Sequence, residues 1–188
     1  MPSEAGQLDW VLATLAHQRQ GYFVDLGAWD GLESSNTLEL ERDYGWTGLC
    51  IEPLRYQALT RYRRCHCVQA WCSNGEHAFD VIEEGQCSRL VSPAGGNQIR
   101  TRTLTSVLLE VGAPPTIDYF SLDVEGAELQ VLQGISFELY RFRAITMEVD
   151  KPTAPAAIDY LISKGYAPVH EFRMGDYLLD LGFVPARR

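Results

Sequence analysis

The sequence contains no long hydrophobic run. Among its 188 residues, no apolar stretch approaches the roughly 20 residues that a helix needs to cross a bilayer. Residues 1–6 are acidic and small, and residues 8–15 have the pattern of an amphipathic helix, so the chain also shows no secretory signal at this point. These absences argue against a membrane protein, and we expect a cytoplasmic chain without a membrane partner.

Positive charge is also scarce. The chain has 16 Lys and Arg against 25 Asp and Glu, which gives a formal net charge of -9. The pair Arg63-Arg64 and the scattered Arg100 and Arg102 do not form a basic patch that could attract a phosphate backbone. We therefore expect no nucleic-acid partner. A hydrophobic content of 46% and a length of 188 residues predict one globular domain over residues 1–188.

The chain lacks an even set of cysteines. It has five, and the odd count in a chain without a secretory signal argues against a disulfide framework. Cys65 and Cys67 are separated by only one residue, whereas zinc ligands are usually two to four residues apart. We therefore predict buried or half-buried free thiols at Cys50, Cys65, Cys67, Cys72 and Cys87.

The most informative segment runs from Gly21 to Gly31. Tyr22 to Leu26 is aromatic and β-branched apart from Asp25, which is typical of a strand covered on both faces. Gly27 and Gly31 then allow a sharp turn, and a helix follows that Ser34, Ser35 or Asn36 can cap. A strand, a glycine turn and a helix are typical of the nucleotide-binding opening of a doubly wound fold.

This turn lacks the middle glycine of a dinucleotide-binding loop. It carries Asp25 and Asp30 instead, and two carboxylates would repel a pyrophosphate. They favour a cationic ligand, and S-adenosylmethionine has both a sulfonium and an ammonium group. A second buried strand ends at Glu52, about twenty residues after the glycine turn, which is the spacing at which an acid in such folds binds the ribose hydroxyls. Acids that close buried strands are costly unless something binds them.

The rest of the chain alternates strands and helices, which predicts parallel crossovers. Residues 1–20 contain an N-terminal helix, predicted over Leu8 to Gln18, that either covers the pocket or packs on the sheet. Residues 71–103 are predicted to be an irregular insertion, either a surface loop or a lid. Within it, Ala78 to Ile82 and Ile99 to Thr103 are strand candidates, and residues 85–88 and 92–97 are predicted loops. Two strands near Met174-Gly-Asp176 are joined by a short turn and must be antiparallel. We predict an α/β fold with a doubly wound, mostly parallel seven-stranded sheet and an antiparallel C-terminal hairpin.

Four segments together resemble the FkbM-type family of S-adenosylmethionine-dependent methyltransferases. They are Phe23-Val-Asp-Leu-Gly-Ala-Trp-Asp-Gly31, Cys50-Ile-Glu-Pro53, Leu122-Asp-Val-Glu-Gly-Ala-Glu128 and Ile145-Thr-Met-Glu148. The similarity extends from about Gly21 to Gly182, and the third segment is its most specific part. The resemblance implies the class I methyltransferase fold, S-adenosyl-L-methionine as cofactor, and O-methylation of a small metabolite or sugar.

The resemblance also assigns roles to individual positions. Asp25, Gly27, Asp30 and Gly31 would line the methionine half of the cofactor, and Glu52 would take the ribose hydroxyls. Asp123 would face the amino group or the reacting centre. The cofactor-binding set that we expect is Asp25, Gly27, Ala28, Trp29, Asp30, Gly31, Glu52, Pro53, Ala70, Trp71 and Asp123. Trp29 departs from the small polar residue that we would expect at its position.

A hydroxyl acceptor must lose its proton to a base or with the help of a metal. The catalytic residues that we expect are Asp123, Glu125 and Glu148, with Glu128 and His170 as further candidates that could be purely structural. Asp123 and Glu148 could instead share Mg²⁺, because both are oxygen ligands. A non-catalytic S-adenosylmethionine-binding module that regulates a partner would also fit the sequence, whereas a nicotinamide-dependent reductase is less favoured. The sequence leaves a homodimer open.

Overall fold

A computed structural model describes residues 3, 5–84, 87–91 and 99–187, without the side chains of residues 80–98. Most of the loops predicted at 85–88 and 92–97 lie outside the described residues. The helices are α1 (Gln7–Thr14), α2 (Leu38–Tyr44), α3 (Tyr56–Tyr62), α4 (Leu104–Glu110), α5 (Glu128–Gln133) and α6 (Ala154–Ser163). The strands are β1 (Tyr22–Leu26), β2 (Thr47–Ile51), β3 (His66–Val68), β4 (Trp71–Cys72), β5 (Ala78–Glu84), β6 (Cys87–Val91), β7 (Ile99–Arg102), β8 (Thr116–Leu122), β9 (Arg141–Glu148), β10 (Tyr166–Met174) and β11 (Tyr177–Pro185). None of the described helices is long and apolar enough to cross a membrane.

The main sheet has seven strands in the order β10-β11-β9-β8-β1-β2-β3. Strands β3, β2, β1, β8 and β9 are parallel to one another, whereas β11 is antiparallel to both β9 and β10. This topology confirms the predicted mostly parallel sheet with an antiparallel C-terminal hairpin. The strand order changes direction between β1 and β8, and in open α/β sheets ligands bind at the carboxyl ends of strands flanking such a point.

Helices cover the two faces of the sheet, which explains why its central strands are apolar on both sides. On one face, Phe23 packs with Val11 of α1, Leu40 of α2 and Leu59 of α3. On the other face, the core includes Val24 of β1 and buried residues of α4, α5 and α6, such as Leu108, Leu132 and Leu161. Burial of both faces stabilises β1 at the centre of the sheet and fixes the position of the turn that follows it.

Four strands between residues 71 and 102 form a second, smaller sheet with the order β4-β7-β5-β6. Its strands β5 and β6 are antiparallel, and β7 pairs with both β4 and β5. Two of its strands, β5 and β7, begin at the positions predicted for the strand candidates at Ala78 and Ile99. A lid function for this segment stays a hypothesis.

Helix α1 contacts the C-terminal hairpin as well as the sheet. The Trp10 ring stacks at 6.1 Å from the His170 ring and meets the Phe172 ring edge-on at 5.6 Å. Gly182 of β11 provides the room, because a Cβ atom there would lie 2.8 Å from the Trp10 ring. The helix therefore links the beginning of the described chain to strands β10 and β11.

Candidate functional site

A cavity of about 640 Å³ opens at the carboxyl ends of β1, β2, β8 and β9. Helix α1 and strand β11 close one side of it through Gln7 and Asp180, whose side chains are joined by a hydrogen bond of 2.8 Å. Of the predicted site residues, the cavity is lined by Asp25, Gly27, Ala28, Trp29, Glu52, Pro53, Ala70, Trp71, Asp123, Glu125 and Glu148. Asp30 and Gly31 are not among its lining residues.

The turn after β1 is held tightly between the two neighbouring strands. The Gly27 amide donates to the Ile51 carbonyl at 3.0 Å, and the Asp123 amide donates to the Leu26 carbonyl at 3.1 Å. Gly27 has a φ of 88°, and a Cβ atom there would lie 1.6 Å from the Asp123 carbonyl oxygen. Only glycine can occupy this position, so the turn brings β1 and β8 together at the floor of the cavity.

Glu52 ends β2 and organises the backbone around it. Its Oε2 atom accepts a hydrogen bond from the Trp29 amide, and Oε1 accepts from the Leu54 and Arg55 amides at 2.7 and 3.0 Å. Burial raises the pKa of the Glu52 carboxyl, and these three hydrogen bonds partly oppose the rise. A carboxylate has about four acceptor positions. Glu52 therefore keeps acceptor capacity for a ligand hydroxyl while three amides fix its orientation.

An aromatic and apolar wall lies beside Glu52. The Arg55 guanidinium lies over the Trp29 ring, 4.7 Å from its centre. Ala70 and Trp71, at the end of the third parallel strand and the start of β4, line the same part of the cavity. An adenine ring would fit this chemistry, since it needs flat apolar contacts next to the ribose acceptor. Trp29 contributes to this wall with its ring and holds Glu52 with its backbone amide. These two contacts explain why a large residue is accommodated at a position where we expected a small polar one.

Asp30 stabilises the loop itself. Its Oδ1 atom accepts hydrogen bonds from the Leu32 and Glu33 amides at 2.9 and 2.8 Å, which is the geometry of a side chain that supports a turn. Gly31 is enclosed by other side chains, because a Cβ atom there would lie 2.7 Å from atoms of Leu59 and Arg63. Both residues shape the loop after β1 from outside the cavity.

Carboxylates dominate the other end of the cavity. Oxygen atoms of Asp123, Glu125 and Glu148 lie within 4.8 Å of one another. Desolvation by the surrounding protein and the neighbouring carboxylates of Glu148 and Asp180 raise the pKa of Asp123 well above its usual range. Burial also raises the pKa of Glu148, to about 7. A pKa of about 7 suits a group that exchanges protons near neutral pH.

A lysine already occupies part of this acidic cluster. Lys151 Nζ lies 3.0 Å from Glu125 Oε2, 3.0 Å from Glu148 Oε1 and 2.9 Å from Asp150 Oδ1. Hydrogen bonds to the three carboxylates raise the pKa of Lys151 and outweigh the effect of burial. The ammonium group therefore takes the central position that a divalent cation would need between Glu125 and Glu148.

Two further candidate acids and bases have structural roles. The Glu128 carboxylate is fully buried and accepts hydrogen bonds from the Val124 and Gly126 amides, so it supports the turn between β8 and α5. His170 is on strand β10, against Trp10 and Phe172, and does not line the cavity. Neither Glu128 nor His170 therefore provides a proton acceptor at the cavity surface.

Several residues of the site are not predicted from the sequence. Arg63 stands out there only as part of a weak basic pair, yet its guanidinium is buried under the loop that follows β1. Asn36, Gln7 and Asp180 line the cavity, and Lys151 neutralises part of its acidic end. The sequence holds one usable signal, because Lys151 follows an acid at the end of a strand by three residues. The others depend on contacts between distant elements.

The four cysteines whose side chains the structure describes are free thiols, as predicted. Cys50 and Cys72 are buried, and Cys65 and Cys67 are half-buried. Their pKa values are all raised, for Cys50 and Cys72 chiefly by burial. Cys87 lies outside the described side chains.

The strand order, the C-terminal hairpin and the cavity at the switch between β1 and β8 define the class I methyltransferase fold. Comparison with solved structures agrees. The METTL16 methyltransferase domain superposes with a TM-score of 0.61 at 16% identity, covering 95% of this chain and 65% of that one. The ribosomal protein L11 methylase from Lactobacillus delbrueckii subsp. bulgaricus gives a TM-score of 0.52 at 10% identity, covering 97% and 79%. At these identities the likeness shows the fold alone.

The family follows from the sequence profile described as the methyltransferase FkbM domain, which matches residues 25–168. The chain therefore belongs to the FkbM family of methyltransferases, for which S-adenosylmethionine is the implied cofactor. The FkbM methyltransferase from Methylobacillus flagellatus has a TM-score of 0.59 at 13% identity over 88% of this chain. This chain spans 43% of the length of that protein. No curated protein sequence matches the chain.

Proposed function

We propose that the protein transfers a methyl group from S-adenosyl-L-methionine to a hydroxyl oxygen of a small acceptor, such as a metabolite or a sugar. The observation that carries this proposal is one continuous cavity, with Glu52 and Trp71 on one side, Asp123 and Glu148 on the other, and the Gly27 turn between them. The first set suits an adenosine group, and the second suits a reacting hydroxyl.

The residues of the first set would hold the cofactor. Glu52 would accept a hydrogen bond from the ribose, and Trp29, Ala70 and Trp71 would contact the adenine. When bound, the cofactor supplies an electrophilic methyl group. The protein then has to align the acceptor, exclude water and receive a proton.

Glu148 and Asp123 are the proposed proton acceptors. A base works best when its pKa is close to the working pH, and the pKa of Glu148 is about 7. Lys151 keeps Glu148 in place and favours its ionised form. Glu125 contributes indirectly, because its carboxylate shares the same lysine.

Calorimetric titration tests the cofactor site. We expect wild-type protein to bind S-adenosylmethionine and S-adenosylhomocysteine, and Glu52→Gln to weaken both at least tenfold, as expected for a charge-assisted hydrogen bond of about 1.5–3 kcal/mol. The matched control is Glu138→Gln, because Glu138 is exposed and is not among the residues that line the cavity. The proposal fails if the wild type binds neither compound.

Turnover tests the reaction. The protein is incubated with methyl-tritiated S-adenosylmethionine and a panel of hydroxylated metabolites and sugars, and products are identified by mass spectrometry. Methylation at oxygen, lost in Glu148→Gln with cofactor binding intact, would support the assignment. Cofactor binding without transfer to any acceptor would favour a regulatory module.

A metal-assisted reaction is the second candidate, because oxygens of Asp123, Glu125 and Glu148 lie within 4.8 Å of one another. Lys151 argues against it, since its ammonium group is already within 3.0 Å of two of these carboxylates. The two candidates predict different effects of a chelator. If a metal takes part, EDTA abolishes turnover while S-adenosylhomocysteine still binds, whereas the metal-independent reaction is unaffected.

A further inference from the structure

Arg63 lies at the end of helix α3 with a fully buried side chain, 0% exposed. Its Nε atom donates to Glu41 Oε2 at 2.7 Å, Nη2 donates to Thr37 Oγ1 at 2.9 Å, and Nη1 donates to Ser35 Oγ at 3.3 Å. The guanidinium therefore contacts the loop that follows β1 and the first turn of α2 at the same time. Arginine is almost never fully buried unless it is paired, so this side chain holds several groups in place at once.

The same network holds one oxygen of Asp25. Thr37 donates its hydroxyl hydrogen to Asp25 Oδ2, and Arg63 Nη1 lies 3.7 Å from that same atom. The Asp25 side chain is only 8% exposed and lines the cavity. Both contacts are made to Oδ2 and leave Oδ1 as the atom through which a ligand could approach. One oxygen is therefore anchored in the protein, while the carboxylate as a whole lines the cavity.

The charges of this cluster do not balance. Two carboxylates, Asp25 and Glu41, share the single guanidinium of Arg63, so the cluster carries one uncompensated negative charge when both acids are ionised. A buried charge without a partner is costly. The Oδ1 atom of Asp25 is the point where a cationic group of a ligand could compensate this charge from the cavity.

We propose that Arg63 is a positioning residue for ligand recognition, which acts with Thr37 to orient Asp25 so that Oδ1 accepts the ammonium group of the cofactor's amino acid portion. This inference rests on the proposed function, because it takes the ligand to be S-adenosylmethionine or its product. It adds a residue that contacts no ligand but determines how one end of the ligand is bound.

The test compares two ligands that differ in that end. S-adenosylhomocysteine carries the ammonium group, whereas 5′-methylthioadenosine keeps the adenosine and thioether and lacks the amino acid. In calorimetric titrations, we expect Arg63→Met to weaken S-adenosylhomocysteine binding at least tenfold and to change 5′-methylthioadenosine binding less than twofold. A merely structural role would weaken both ligands equally, and that result would overturn the proposal. Unchanged S-adenosylhomocysteine binding would overturn it as well.

A double-mutant cycle provides a second measurement that needs S-adenosylhomocysteine alone. If Arg63 acts through Asp25, the variant Arg63→Met, Asp25→Asn binds no more weakly than Asp25→Asn. Additive losses would contradict the proposal. Should Arg63→Met fail to fold, Thr37→Val removes the hydroxyl between the two residues, and we expect it to weaken S-adenosylhomocysteine binding severalfold and to spare 5′-methylthioadenosine.

Failure of this inference differs from failure of the proposed function. If wild-type protein binds neither ligand, the cofactor site itself is wrong. If wild-type protein binds S-adenosylhomocysteine but the variants and the cycle show no selective loss, only the role of Arg63 is wrong.

Discussion

At the scale of single residues, Asp123 occupies an unfavourable electrostatic position. It lies inside the cavity among other carboxylates, and desolvation together with their repulsion raises its pKa well above the usual range. The folded state therefore binds a proton more tightly than the unfolded state does. Stability contributed by the protonated group is present at low pH and is lost as the pH rises through the raised pKa.

Replacing Asp123 by Asn should therefore stabilise the fold while abolishing methyl transfer. The side chain faces the cavity and is partly solvated, so we expect a gain of at most about 1 kcal/mol, or roughly 2–4 °C in Tm. The gain appears at pH 8 and vanishes at pH 4, as thermal unfolding would show. Asp118→Asn is the contrasting variant, because Asp118 forms a 2.6 Å ion pair with Arg143 and its loss should lower the Tm. A lower Tm for Asp123→Asn at pH 8 would contradict this interpretation.

The ionisation of Glu148 should control the pH dependence of the reaction. Its pKa is about 7, and a base acts in its ionised form, so kcat/KM should rise through pH 7, where half of the groups are ionised, and level off above it. Lys151 lowers this pKa. In Lys151→Met, the rise should therefore move to higher pH. An unshifted profile in this variant would remove Glu148 as the base.

The same variant should also open a cation site. Without the ammonium group, the carboxylates of Glu125, Glu148 and Asp150 lose their shared partner. We expect Lys151→Met to bind Mn²⁺ with micromolar to millimolar affinity in electron paramagnetic resonance titrations, and the wild type to bind at least tenfold more weakly. Equal binding by both proteins would show that Lys151 does not compete with a metal.

At the scale of secondary structure elements, the turn after β1 depends on the close approach of β8. Gly27 needs both a positive φ and the absence of a side chain, because a Cβ atom would meet the Asp123 carbonyl at 1.6 Å. We expect Gly27→Ala to lose measurable S-adenosylhomocysteine binding and to lower the free energy of unfolding by more than about 2 kcal/mol. Gly175→Ala is the matched control.

Gly175 also has a positive φ, 63°, but a Cβ atom there would meet nothing within 4 Å. This control isolates the backbone strain of about 1 kcal/mol from the steric conflict. Urea unfolding and calorimetry on the two variants provide the comparison. Similar losses in both variants would show that the contact with β8 is unimportant.

The elements also show which features a sequence can predict. Strand β1, the Gly27 turn and the acid at Glu52 are predictable, because strand burial and turn chemistry are local patterns. The end of helix α1 is not. The sequence predicts it at Gln18, but the helix ends at Thr14, and Ala16 and His17 then adopt a φ of 53° without a glycine. A distant contact accompanies this ending, because the Trp46 indole donates to the Gln18 carbonyl at 2.9 Å.

The residues of the site divide in the same way, into those that local sequence patterns predict and those that depend on distant contacts. Asp123 and Glu148 are predictable because both end parallel strands, and such strands share one edge of a sheet. Asp180 is not, because β11 must first insert beside β9 before its side chain reaches Gln7. Arg63 escapes prediction because a helix-end arginine is ordinarily solvated, and its burial results from three separate elements meeting around it.

At the scale of the whole molecule, the two faces of the sheet are covered by separate helix layers, and helix α1 belongs to one of them. Leu12 is buried in that layer with Val11 and Leu15. We expect Leu12→Ala to lower the free energy of unfolding by about 2–4 kcal/mol, as for other buried leucines. Leu109→Ala should change it by less than about 0.5 kcal/mol, because Leu109 is 61% exposed. Urea denaturation of both variants tests whether α1 is an integral part of the fold.

Strand β11 follows β10 in the sequence but lies between β10 and β9 in the sheet. During synthesis on a ribosome, β10 emerges first and has no place to pair until β11 has followed it. Until then, the edge of β9 stays open to other nascent chains. A premature stop codon between β9 and Tyr177 would therefore remove Asp180 from the cavity and also leave the edge of β9 unpaired. Quality-control proteases and chaperones should meet such a truncated product as an aggregation hazard.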